Sequence, residues 1–253
     1  MAKKKVATPH YHIWSLPKRI FPRTKGNQGR KYAQEVRRIY QGLTYTNSKL
    51  QASAQVCIFY IKSIGKAKGY AVRPQEVFSE IETFANNYEN FCYRIFALRE
   101  KLIHFINAVV PIGFPDNKVR IEVFLTHPLL KEIGILYLLE KFQTGSPKKP
   151  NVLGELIENR NSLTHRLYYY NNIDHYMRPM NLDPSKNGID KAWFRQWVTQ
   201  IDNHAEQAIK GMDILGDLNH ELSKKLVFYK IPSMRPKKVR RKLREKLGTA
   251  SKE

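Results

Sequence analysis

Between Pro74 and Pro111, apolar side chains recur every three or four residues without interruption. Val77, Phe78, Ile81, Phe84, Tyr88, Phe91, Ile95, Leu98, Leu102 and Phe105 make one stripe that runs to about Val109. On a helix that spacing gathers every member on one face; on a strand it would scatter them over both. The stretch therefore predicts a helix of about nine turns, opened by Pro74 and ended by Pro111 and Gly113. A second stripe, from Trp193 and Trp197 through Ile201, Ala205, Ile209, Met212, Leu215, Leu218 and Leu222, predicts another long helix over roughly 190–229. Two such faces need each other or further helices to bury them.

The rest of the chain supplies those partners. Tyr32, Val36, Ile39, Tyr40 and Leu43 predict a helix beginning near Gln28. Over 48–64 the residues are β-branched and aromatic, yet Leu50, Ala54, Cys57, Ile58 and Ile61 keep a helical period, and the segment is read as helix. Further helices are expected over 128–142 and from Val152 to about Tyr170, with a breaker at 145–151 and a loop at 171–188. No strand alternation and no internal repeat appears. The expected fold class is all-α: a helical bundle with two long helices and basic, largely irregular terminal arms. The expected division is a basic N-terminal arm at 1–27, a helical domain at 28–229 and a basic C-terminal tail at 230–253.

Charge narrows the function. The chain has 253 residues with 44 Lys and Arg against 22 Asp and Glu, a net +22. Residues 1–31 hold nine basic side chains and no acid, and residues 230–253 hold ten against two, so the ends supply +17 and the body about +5. Basic arms on a nearly balanced body point to a polyanion, and nucleic acid is the commonest. Lys237, Lys238, Arg240, Arg241 and Arg244 are the expected RNA-binding cations of the tail. With 42% apolar residues the chain is neither disordered nor fibrous. The N-terminus lacks an apolar signal core, and the most apolar stretch, 129–142, is charged and too short to span a bilayer. Two isolated cysteines, Cys57 and Cys92, make no metal or disulfide framework. A cytoplasmic protein without membrane attachment is expected.

Several chemistries drop out. The chain has no GxxxxGK[ST], no HExxH and no GxSxG, its acids are scarce and unclustered, and His10 and His12 have no ligand partners nearby. No metal and no cofactor is expected. His127, before Pro128, reads as a cap, and His204 and His220 read as surface or interface residues.

One segment stands apart: Glu158-Asn159-Arg160-Asn161-Ser162-Leu163-Thr164-His165. Two pairs share an Arg-x4-His spacing, Arg160/His165 and Arg99/His104, where about half a pair is expected by chance in a chain of this composition. Only Arg160 is followed directly by a polar Asn. The pattern Arg160-Asn161-x3-His165 resembles the RNxxxH signature of the HEPN superfamily, helical-bundle proteins of which many are metal-independent RNA endonucleases. The resemblance implies His165 as general base and Arg160 as the cation that stabilises the transition state, with Asn161 and Thr164 positioning them. It implies a homodimer whose motif helices meet in a composite cleft, a toxin or phage-defence role, and a restraining antitoxin or sensor protein as partner. Some HEPN toxins carry His-x-Tyr here; His165-Arg166-Leu167-Tyr168 departs from that by one residue.

The chemistry of the residues agrees with the resemblance. Neutral imidazole suits removal of a 2′-OH proton, and a guanidinium stays charged and presents a planar fork of donors to phosphate. Positions five apart on a helix differ by about 140°, so Arg160 and His165 flank a groove rather than touch. Arg99, Lys101 and His104 form a possible second cluster on the long helix. The alternative function is a non-catalytic RNA- or ribosome-binding protein; a scaffold for an acidic protein is a weaker third.

Overall fold

The computed structural model describes residues 27–66, 74–110, 112, 114–146, 151–165 and 191–228. Three long helices dominate them: α1 (Asn27–Lys66), α2 (Pro74–Val109) and α7 (Lys191–Phe228). Between α2 and α7 lie a 3₁₀ turn (Asp116–Lys118), the short helices α3 (Ile121–Leu125), α4 (Pro128–Ile133) and α5 (Leu136–Glu140), and the 14-residue α6 (Val152–His165). Among the described residues there is no β-strand, and the molecule is an all-α bundle. The N-terminal arm to residue 26, the 171–188 loop, the end of the Val152–Tyr170 segment after His165, and the tail lie outside the described residues.

α1 is a third long helix, because the segments read from Gln28 and over 48–64 join without a break. The joint is rich in hydroxyls, which can compete with helical hydrogen bonds. Here they turn back instead: Thr44 Oγ1 donates to Gln41 O (2.9 Å), Thr46 Oγ1 to Gly42 O (2.9 Å) and Ser48 Oγ to Tyr45 O (2.8 Å). α1 runs antiparallel to α2, with the Tyr32 hydroxyl donating to Ala108 O at one end and Lys101 Nζ to Thr46 Oγ1 (2.7 Å) nearer the middle. Cys57 and Cys92 are fully buried free thiols, and burial pushes the Cys57 thiol up to about 12.

The expected 128–142 helix is split. Gly134 adopts the left-handed conformation (φ 73°, ψ 34°); its N–H donates to Lys131 O (3.0 Å) and that of Ile135 to Leu130 O (3.1 Å). This paired closure ends α4 before α5 begins, with Ile135, Leu138 and Leu139 fully buried. His127 caps α4 as expected, its Nδ1 accepting from Leu129 N–H (3.3 Å). The core joins the α2 face (Phe84, Tyr88, Phe91, Ile95, Leu98, Leu102, Phe105) to α7 and to Leu153 and Leu156 of α6. α6 enters through Gly154, where a Cβ would stand 2.1 Å from Gln143 O. That approach sets the placement of the residues that follow on α6.

Candidate nucleic-acid site

α6 turns Leu153, Leu156 and Ile157 inward and carries Arg160 and Asn161 at half-buried positions on its edge. The Arg160 guanidinium crosses to α2, its Cζ 4.3 Å from the ring centroid of Phe96 and 5.6 Å from that of Tyr93. Its Nη1 donates to Asn161 Oδ1 at 2.8 Å, and Asn161 Nδ2 donates to Glu158 Oε2 at 3.4 Å. Asn161 thus orients the cation beside it. Thr164 and His165 close α6, and their side chains lie outside the described residues.

Tyr93, Phe96 and Arg99 follow one another at three-residue intervals along α2. Arg99 Cζ lies 4.6 Å from the centroid of the same Phe96 ring, and its guanidinium is paired with Glu100 (2.8 Å). One cation from each Arg-x4-His pair therefore shares a single aromatic ring. The electron-rich ring faces favour both cations, each by about 0.5–2 kcal/mol according to desolvation. A guanidinium stacked in this way still has edge donors that match a phosphate.

The remainder of the second cluster points elsewhere. Lys101 Nζ donates to Thr46 Oγ1 (2.7 Å) and Gly42 O (3.3 Å), tying α2 to α1. His104 Nδ1 lies 3.9 Å from Asp116 Oδ1, toward the 3₁₀ turn. Only Arg99 of the three stands beside Arg160. The tail cations Lys237, Lys238, Arg240, Arg241 and Arg244 lie outside the described residues.

A polar knot behind the site was not foreseen from the sequence. The buried Tyr88 hydroxyl donates to Gln207 Oε1 (2.9 Å) and accepts from Asn159 Nδ2 (3.0 Å). His204 stacks on the Tyr88 ring at 4.4 Å and 12°. It is a packed residue rather than the surface or interface residue expected, and burial pushes its imidazole down to about 4. These contacts join α2, α6 and α7 one residue before Arg160, fixing the rotation of α6. The available signal was that Tyr93 and Phe96 fall off the apolar stripe of α2, as aromatic residues on an edge.

Among the described residues no three His, Cys, Asp or Glu side chains gather as metal ligands, and no helix is long and apolar enough to cross a membrane. The model of the Cthe2314-like HEPN family matches residues 40–227, from within α1 to the end of α7. No curated protein and no solved structure gives a significant match. The family match spans most of the chain, and the all-α bundle it covers includes the Arg160-Asn161-x3-His165 segment, so this protein belongs to the HEPN superfamily.

Proposed function

We propose that the chain is a metal-independent RNA endonuclease working in a toxin or phage-defence setting. The observation that carries this reading is the pair of guanidiniums, Arg160 and Arg99, brought to one ring beside the Arg160-Asn161-x3-His165 segment. Many HEPN proteins are ribonucleases, and the basic arms suit an RNA substrate.

In this reading the His165 imidazole takes the proton of a ribose 2′-OH as its oxygen attacks the adjacent phosphorus. Negative charge then builds on the non-bridging oxygens, where Arg160 meets it with donors already oriented by Asn161 and Phe96. The bond from phosphorus to the 5′-oxygen breaks, that oxygen takes a proton from water, the hydroxide left behind takes the proton held by His165, and the products are a 2′,3′-cyclic phosphate and a 5′-OH. Arg99 holds a neighbouring phosphate. A homodimer through α6 supplies the opposite wall of the cleft, an isologous contact.

Incubating purified protein with mixed single-stranded RNAs in EDTA tests the reading. Cleavage is expected to persist, and His165→Ala to lower it by ~10²–10⁴-fold with helicity unchanged. Strict Mg²⁺ dependence, or an unaffected His165→Ala, sinks the nuclease. A chain that binds RNA and never cuts it is the non-catalytic binder instead.

A further inference from the structure

The charge of the folded body is unevenly placed. α1 carries seven basic side chains and one acid, a net +6, whereas α2 is at −2, α6 at −1 and α7 neutral. α1 buries Val36, Leu43, Leu50, Ala54 and Cys57. At 100° per residue, Lys31, Arg38, Tyr45, Lys49, Ala52 and Phe59 fall within an arc of about 80° opposite that face. All six are exposed, and the two aromatics most of all: Tyr45 at 62% and Phe59 at 64%. Glu35 is the helix's only acid; it lies at the edge of the arc and pairs with Arg38 (2.6 Å). Lys49 Nζ lies 5.6 Å from the Tyr45 ring centroid.

We propose that this outward face of α1 is a second binding surface for single-stranded RNA, where bases stack on Tyr45 and Phe59 and phosphates meet Lys31, Lys49 and their basic neighbours. The proposal rests on RNA being the substrate, and it places a docking surface on a helix other than those carrying the Arg160 site. Three observations favour this occupant. Aromatic rings interleaved with cations match the alternation of base and phosphate in an unpaired strand. The two rings are about 21 Å apart along the helix, so they engage separate bases of one strand rather than a single one. The basic N-terminal segment immediately precedes α1 in the sequence, so the run of cations continues along the chain into this helix. A second copy fits poorly, since self-pairing through this face sets Lys31, Arg38 and Lys49 against the same three cations. A membrane fits poorly as well, because the apolar face of α1 from Val36 to Cys57 is spent on the core.

The test uses the full chain and a single-stranded 2′-O-methyl oligonucleotide, which lacks the attacking hydroxyl and cannot be cut. Tyr45→Ala with Phe59→Ala is expected to weaken binding at least fivefold without changing its salt slope. Lys31→Gln with Lys49→Gln is expected to lower the log–log salt slope by about 1.4. A duplex, whose bases are not available for stacking, is expected to be indifferent to the aromatic pair. Binding of the single strand unchanged in both double variants overturns the α1 surface and leaves the nuclease reading standing. No RNA binding by the parent chain overturns both. Should the aromatic pair instead abolish self-association or binding to anionic vesicles while RNA affinity holds, the face belongs to another partner and the proposal fails.

Discussion

Phe96 is where two cations from different helices meet, and its removal separates charge from placement. Phe96→Leu keeps most of the volume while deleting the π face, so both guanidiniums retain their charge and lose their seat. Cleavage is expected to fall about 2- to 30-fold, in kcat more than KM, with thermal stability nearly unchanged. Arg160→Lys is expected to fare worse than Phe96→Leu, because a compact ammonium has no planar fork to lay on the ring or offer to phosphate. Behind the site, His204 makes a prediction about pH. Burial against Tyr88 lowers its folded pKa to about 4, below the ~6.5 of an unfolded chain. The unfolded chain therefore binds this proton more readily. The contribution is complete above about pH 6.5 and is lost as the pH falls toward 4, by of order 1–3 kcal/mol. Urea midpoints at pH 7.5 and 4.5 should show the loss, and His204→Phe, which keeps a ring on Tyr88 and cannot charge, should shrink it.

Two glycines test whether the bundle is held by helix approach or by helix propensity. A Cβ on Gly154 would meet Gln143 O at 2.1 Å and Thr144 N at 2.7 Å, backbone atoms that cannot swing aside. Gly154→Ala is expected to cost more than ~2 kcal/mol and to shift α6, reducing cleavage with it. Gly216, exposed on α7, has nothing within 4 Å of its Cβ position, so Gly216→Ala is expected to stabilise by about 0.5–1 kcal/mol. Chemical denaturation of both variants reads the two signs directly. The same elements show what periodicity can and cannot reveal. α2 was legible to its ends because Pro74 opens it and its stripe never breaks. α1 was read as two segments, since hydroxyls at Thr44, Thr46 and Ser48 mimic a boundary until their bonds to preceding carbonyls are seen. The helix over 128–142 was read through Gly134, whose positive φ ends it. Five-residue helices such as α3 fall below any window in which a period can be counted.

Over the whole molecule, the site was legible as a local word and illegible as an assembly. Arg160 and Asn161 lie next to each other in the chain, so their pairing could be anticipated. Phe96 stands 64 positions before Arg160, and nothing in the spacing of either helix tells which α2 residue lies beneath it once Gly154 has fixed the entry of α6. The charge reading was incomplete in placement: the ends carry most of it, and α1, which takes in Arg30 and Lys31 of the basic N-terminal stretch, carries a net +6. Under the proposed nuclease reading, that distribution gives a division of labour, with the ends and α1 gathering RNA and the Arg160 site cutting it. Deleting 233–253 tests the division. Each phosphate neutralised on a single strand contributes a log–log salt slope of about −0.7, so a tail making roughly five contacts accounts for a slope near −3.5. The truncated chain is expected to bind RNA more weakly and with a flatter salt dependence, while cleavage at saturating RNA stays near that of the full chain. His165→Ala should do the reverse, binding normally and cutting poorly. If truncation abolishes cleavage even at saturation, the tail belongs to the cleft, and the cations that gather the strand are the ones that position it for the cut.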